Sequence, residues 1–455
     1  MDRLVVLTEG SPAGLAGVTD AIAGPSAAVT RGSVVRVGAA TALSALCGYA
    51  VLYLAARDLE PAGFSVFGVF WGAFGLASGA AFGLLQETTR EVRSGHSVAL
   101  PRSEAQVAPP RSEAQVAGRS DPAGERARPM RVAAGVGLTA AVLIGATSPL
   151  WSAQVFIEDR LLSVALLCVG LAGFCLHTTL LGALAGVNRW SEYGALMVAD
   201  AALRVTVAAA TFAVGWGLGG YLWATVAGSI AWLFMLIVSP TTRSAARLLT
   251  SGPTLTFLRG AGHSITAAGA SAVLVMGFPV LLKVTSGGDL GAAGGVVILA
   301  VTLTRAPLLV PLTAMQGNLI AHLVDQRAHR MRALVVPAAL IGGLGVVGVV
   351  LAGILGPWLL QEAFGAEYVA NGALLAWFTA AAVAIALLTL TGAATVAAAL
   401  HRAYSAGWLC ATVASALLLL LPLELEVRTV VALLCGPLLG IAMHLAALAK
   451  VPTAR

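Results

Sequence analysis

A single arginine, Arg305, lies near the middle of the apolar run GAAGGVVILAVTLTRAPLLVPLTAMQ at 291–316. About twenty apolar residues in a helix span the roughly 30 Å hydrocarbon core of a bilayer. An arginine at that depth costs at least about 2.5 kcal/mol unless it faces protein or water, so Arg305 is predicted to face an interior. Pro307 and Pro311 each remove a backbone donor, which predicts a bent helix lining a cavity. The alternative is a structural arginine bonded to a carbonyl or to one acid of a neighbouring helix.

Two more ionisable residues, Asp200 and Arg204, lie four positions apart in another apolar segment. In a helix this spacing places both side chains on one face. One interpretation is that the two charges simply neutralise each other within the membrane. The other is that Asp200 holds Arg204 until an anionic head group or an ion competes for it.

Polar residues also follow two apolar segments at matching positions. Gln86, Glu87 and Arg90 close one segment, and Gln316 and Asn318 close the other. These side chains are candidates for a cytoplasmic gate that latches when the inward mouth closes, or for contacts to a lipid head group. The alternative is that these side chains only cap helices and contact the membrane interface.

The composition establishes the protein class. Hydrophobic residues make up 58% of the chain, charged residues only 11%, and the mean hydropathy is +0.89. Charged residues reach about 25% in soluble globular domains, so the chain is predicted to be an all-α polytopic membrane protein. The net charge of +6 reflects the basic loops that orient membrane proteins, and no nucleic-acid partner is expected. The five cysteines lie in apolar runs without ligand spacing, so neither a metal nor a cofactor is expected.

The hydropathy pattern predicts about twelve transmembrane helices. Their spans are 33–56, 64–86, 132–151, 161–187, 193–215, 220–239, 263–282, 291–315, 333–357, 371–399, 405–421 and 429–449. With a cytoplasmic N-terminus, the inward segments carry 21 of the 27 Lys and Arg residues, counting Arg36 at the start of the first span, and the outward loops carry 4. Because positive residues concentrate in cytoplasmic loops, the protein is predicted to lie in the inner membrane with both termini in the cytoplasm.

An internal repeat divides these spans into two six-helix lobes. Pro149 precedes Phe156 at the end of the third span, and Pro357 precedes Phe364 at the same spacing after the ninth. Repeated lobes that rock around a central site are common in transporters. The predicted organisation is a disordered cytoplasmic tail at 1–31, an N-lobe at 32–239 with a disordered cytoplasmic loop at 87–131, a linker at 240–262, a C-lobe at 263–449 and a tail at 450–455.

Two motifs carry a family resemblance. The segment LEPAGFSVF at 59–67 resembles the "LGPEEYGIFAV" entry to the second helix of polysaccharide flippases, and GPWLL with FGAEY at 356–368 resembles their ninth-helix ending, "GP.LL..LFG.EY". These flippases belong to the multidrug/oligosaccharidyl-lipid/polysaccharide (MOP) exporter superfamily. The resemblance covers essentially the whole chain, and Phe64 replaces the usual tyrosine.

The resemblance implies two bundles around a cavity that opens alternately to each side, and a polyprenyl-diphosphate-linked glycan as cargo. Membrane lipids, and a polysaccharide polymerase or glycosyltransferases, are the other partners it implies. Guanidinium groups bind a diphosphate through charge-assisted hydrogen bonds, which makes Arg305, Arg204 and Asp200 the candidate cavity residues.

Other functions would need other sequence features. A cation-coupled multidrug exporter of the same superfamily would need a carboxylate in the first span, and 33–56 has none, so Asp200 would have to serve instead. A glycosyltransferase would need an Asp-x-Asp metal motif or a large outward domain, and a nucleotide-driven pump would need a Walker A sequence. The chain has neither motif, so it is predicted not to be an enzyme.

Overall fold

The structure is a computed structural model that describes residues 31–99, 126–250, 252–326 and 330–450. These ranges contain fourteen α-helices and no strand. The helices are α1 (Arg31–Ala99), α2 (Pro129–Val155), α3 (Arg160–Gly186), α4 (Trp190–Val214), α5 (Leu218–Ala227), α6 (Ala231–Val238), α7 (Pro240–Ala246), α8 (Thr254–Val275), α9 (Phe278–Ser286), α10 (Gly291–Asp325), α11 (Arg330–Phe364), α12 (Gly372–Ala397), α13 (His401–Leu418) and α14 (Leu425–Ala449). The tails and the middle of the loop at 87–131 lie outside the described residues.

The described helices include nine that are long and apolar enough to cross a membrane, or ten if the bent pair of α8 and α9 counts as one span. The chain is therefore a multi-pass, all-α membrane protein. Helix α1 holds two predicted spans, which meet at Glu60, where the backbone leaves helical geometry (φ 55°, ψ 169°) before Pro61. Helix α13 matches the predicted span 405–421 but is too polar to count among the nine. The fold is compatible with twelve spans, and that number stays a prediction.

The helices form two lobes with the same packing pattern. In the N-lobe, α1 packs on α3 and α4, α3 packs on α2, and α4 packs on α5. The arm of α1 before Glu60 contacts α4, since Arg36 Nη1 donates to Ser191 Oγ at 2.8 Å. In the C-lobe, α10 packs on α12, α8 on α13, α12 on α11, and α13 on α14. The second set of contacts repeats the first six spans later.

Two short turns show which positions of the two lobes are equivalent. The turn after α3 has Asn188 in the left-handed region (φ 58°), and the turn after α12 has Ala399 there (φ 59°). In the first turn Arg189 N donates to the Leu184 carbonyl at 2.9 Å, and in the second Leu400 N donates to the Thr395 carbonyl at 2.8 Å. Helices α4 and α13 follow immediately, so they are equivalent, and Arg204 corresponds to Ser415.

The lobes meet along the arm of α1 after Glu60, which packs on α8 and α10. Glycines allow this close approach. A methyl group on Gly83 would collide with the backbone of Ile265 in α8, and one on Gly79 would collide with Ala272. We call this contact between α1 and α8 the interlobe seam.

Candidate functional site

Arg305 lies inside the protein, as its apolar surroundings predict. Helix α10 continues through Pro307 and Pro311, and only 7% of the Arg305 surface is exposed. Its Nη1 donates to the carbonyl oxygen of Val275 at 3.1 Å. The guanidinium lies over the ring of Phe278, 5.3 Å from the centroid, where a cation interacts favourably with the aromatic face.

The Val275 carbonyl needs this donor because the helix breaks there. In a continuous helix the carbonyl would accept from the residue four positions on, and that residue is Pro279, which has no N–H. Helix α8 instead ends at Val275, and α9 leaves it at an angle of 63°. Arg305 therefore caps a broken membrane helix of the same lobe, since cationic side chains bond well to C-terminal carbonyls.

Arg305 also retains unused binding capacity. Its Nη2 is buried and has no hydrogen-bond partner among the described residues, and no described acid forms an ion pair with it. The bond to Val275 is the carbonyl contact that the sequence left open as an alternative to lining a cavity. The two roles are compatible, because Nη1 bonds to the end of α8 while Nη2 has no acceptor among the described residues.

Asp200 and Arg204 form an ion pair on α4. Arg204 Nη2 lies 3.0 Å from Asp200 Oδ1, and the side chains are only 14% and 19% exposed. Arg204 Nη1 also donates to the carbonyl oxygen of Thr225 at 2.5 Å, and its guanidinium lies 5.4 Å from the ring centroid of Phe74. Thr225 precedes the 3₁₀ turn Gly228–Ile230 between α5 and α6. The predicted ion pair is present, and its arginine also bonds to a helix that a 3₁₀ turn interrupts.

The internal repeat shows what packing alone requires at this position. In the C-lobe, the equivalent residue Ser415 donates through Oγ to the Ala432 carbonyl of α14 at 2.9 Å. A methyl group on Gly436 would strike Ser415 Oγ, as one on Gly228 would strike the Asp200 carboxylate. In the C-lobe, a neutral hydroxyl therefore takes the place that the ion pair has in the N-lobe.

A third cluster of polar side chains lies around Glu87, at the end of the interlobe seam that is farther from Glu60. We call this end the Glu87 end. Arg90 Nη2 lies 2.6 Å from Glu87 Oε1 and 2.7 Å from Glu91 Oε1. Both carboxylates are buried, and a methyl group on Gly260 of α8 would collide with Glu87. Two of the predicted gate residues, Glu87 and Arg90, are therefore joined, and Glu87 contacts the C-lobe.

The structure describes the side chain of only one of the three remaining gate residues. Gln86 is exposed, and the side chains of Gln316 and Asn318 lie outside the described residues. Sequence reasoning missed Glu91, although it follows Arg90 directly. It also missed Val275 as the partner of Arg305, although the Gly277, Phe278 and Pro279 sequence inside an apolar span signals a broken helix.

Full-length relatives occur in mycobacteria. "Uncharacterized protein Mb3654" of Mycobacterium bovis is 67% identical over 440 residues, covering 97% of this chain and 96% of the relative. "Uncharacterized protein Rv3630" of Mycobacterium tuberculosis is 66% identical over 440 residues with the same coverage. "Uncharacterized protein Rv1510" of the same species is 64% identical over 451 residues, covering 99% and 97%. The chain belongs to this mycobacterial family. No model of a known protein family matches it.

Solved structures identify the fold of this family. An inward-facing multidrug resistance MATE transporter of the MOP superfamily is 14% identical, with TM-score 0.61 and coverage of 89% of this chain and 94% of that one. A MATE protein in complex with MaD3S is 15% identical, with TM-score 0.62 and coverage of 92% and 97%. A MOP superfamily transporter from Pyrococcus furiosus, described as having a binding pocket of reverse polarity, is 13% identical with TM-score 0.61 and coverage of 92% and 96%. The two-lobe MATE fold that the sequence predicts is confirmed.

Proposed function

We propose that this protein is a transporter that moves a polyprenyl-diphosphate-linked oligosaccharide from the inner to the outer leaflet by alternating access. The observation that carries the proposal is Arg305, whose buried guanidinium has a free Nη2 and no acidic partner among the described residues. An anionic cargo supplies the missing acceptor and charge, since guanidinium binds phosphate oxygens through paired hydrogen bonds.

This chemistry suits both parts of the cargo, the diphosphate head group and the polyprenyl chain. A diphosphate bearing sugars cannot cross hydrocarbon unaided, because moving an unpaired charge from water into an apolar medium costs on the order of tens of kcal/mol. The guanidinium replaces part of that hydration inside the fold, while the polyprenyl chain stays in lipid. Arg204 is the second cation that such a head group meets, once it competes with Asp200.

A cation-coupled multidrug exporter is the alternative, and the multidrug resistance MATE neighbour favours it. Such an exporter needs an unpaired acid at membrane depth. Asp200, the acid that the sequence offers for this role, is paired with Arg204. This pairing favours an anionic cargo over a cationic drug.

A two-cargo assay tests the proposal. The full chain is reconstituted in proteoliposomes and presented with a short-chain, fluorescently labelled polyprenyl-diphosphate disaccharide or with a cationic dye. Movement of the labelled diphosphate lipid between leaflets, with no dye accumulation, is the expected result. Dye accumulation without lipid movement would instead support the exporter.

A further inference from the structure

The two motifs that resemble the flippase family meet in space, although 288 residues lie between them along the chain. One motif turns the chain at Glu60 and leads into Phe64 of the N-lobe. The other carries Tyr368, in the connection between α11 and α12 of the C-lobe. Tyr368 is 1% exposed, so the last residue of the C-lobe motif is enclosed by the protein.

The contact that joins them is specific. The Tyr368 hydroxyl donates to the carbonyl oxygen of Ala56 in the last turn before Glu60, at 3.0 Å. Its ring meets Phe64 edge to face, with centroids 6.2 Å apart. Phe364 makes a similar contact with Tyr53 at 5.7 Å. Aromatic pairs in this geometry stabilise beyond their buried area.

The local sequence positions Tyr368. Gly365 takes a positive φ of 121° after α11, a conformation that favours glycine. The Asn371 side chain then caps α12 by accepting from Leu374 N at 2.7 Å. The short connection between these residues is therefore fixed at both ends. Burial raises the pKa of Tyr368, and neighbouring Glu367 and Glu60 raise it further, so the phenol keeps the proton that it donates.

A second tyrosine provides an internal reference. Tyr221 donates through its hydroxyl to the Leu54 carbonyl at 3.2 Å, in the same helix end. Both Tyr221 and Leu54 belong to the N-lobe, so their bond persists when the lobes move apart. The Tyr368 bond crosses from one lobe to the other and cannot persist in that case.

We propose that Tyr368, with Phe364, is the latch that holds the two lobes shut at the Glu60 end of the protein, which the charge distribution predicts to face outward. Helix α10 closes the same end, since a methyl group on Gly295 would collide with the Pro61 carbonyl. Opening at this end then requires Tyr368 to leave Ala56. The latch rests on the proposed alternating access, but it involves neither Arg305 nor the cargo.

Ser65 is a suitable reporter of this latch. It is 2% exposed and lines a small cavity between the lobes at the Glu60 end, together with Lys283 and Val155. Ser65→Cys is introduced into a full chain whose five native cysteines are replaced by alanine. The rate of labelling by a hydrophilic maleimide in detergent micelles is measured relative to Glu158→Cys, an exposed position near the same end.

The test compares two removals of a phenol hydroxyl. Tyr368→Phe should raise labelling of the reporter about fivefold, since one buried hydrogen bond of the closed state is lost. Tyr221→Phe should change labelling less than twofold. Phe364→Leu is the second variant, which should also raise labelling if Tyr368→Phe lowers the yield of folded protein.

The latch is contradicted if neither C-lobe variant raises labelling, or if Tyr221→Phe raises it as much as they do. The measurement contains no cargo, so its result is independent of the two-cargo assay. A normal latch with no lipid movement would reject the proposed cargo alone. Lipid movement with no effect of the C-lobe variants would reject the latch alone.

Discussion

The guanidinium of Arg305 lies 3.1 Å from the carbonyl oxygen of Val275, in the place where Pro279 offers no backbone donor. This contact connects a buried charge to a break in a membrane helix. The cation stabilises the end of the broken helix.

Restoring the missing donor should compensate for the loss of Arg305. Arg305→Ala leaves the Val275 carbonyl unpaired and should lower the free energy of unfolding by about 1–2 kcal/mol. Pro279→Ala returns an N–H at the position where the helix needs it, so the double variant should regain most of this loss. Apparent Tm of the four proteins in detergent measures the effect. Equal losses in the single and double variants would show that Pro279 is not the reason for the contact.

The ion pair of α4 should be dispensable for folding. Asp200→Ala combined with Arg204→Ser installs the residue types that occupy the equivalent C-lobe positions, Ala411 and Ser415. This double variant should fold with near-normal yield, while Arg204→Ala alone leaves a partly buried carboxylate unpaired and should cost about 1–3 kcal/mol. Yield and size-exclusion profile are the measurements. A double variant as unstable as the single one would mean that the N-lobe packing requires the charges.

The interlobe seam should be sensitive to a single methyl group. Gly83→Ala places a carbon against the Ile265 backbone, and overpacking of this kind costs about 1–3 kcal/mol. Gly135→Ala in α2 is the matched control, because nothing lies within 4 Å of its new carbon. The control should be neutral or slightly stabilising, since alanine is the better helix former. Similar Tm values for both variants would show that α1 and α8 do not approach each other closely at Gly83.

The sequence predicted the helical class, the lobes and the burial of Arg305, because hydropathy and the cost of a charge in lipid are local properties. It did not identify Val275 as the partner, because that contact depends on how α8 ends and where α10 crosses it. The equivalence of Arg204 and Ser415 was also hidden, since the lobes share backbone turns at Asn188 and Ala399 rather than residue types. The pairing of Glu87 with Arg90 follows from helical spacing alone, whereas the contact of Glu87 with Gly260 requires the assembled seam.

The most direct measurement of the central claim is movement of the labelled diphosphate lipid by the double variant Arg305→Ala with Pro279→Ala. Its helix break is repaired, so any defect reports the lost guanidinium rather than lost stability. Pro279→Ala alone is the control, and it should retain transport. We expect a stable double variant whose rate of lipid movement is at least tenfold lower, about the effect of losing one charge-assisted contact. Transport at the rate of the control would contradict it and leave Arg305 as a helix cap alone.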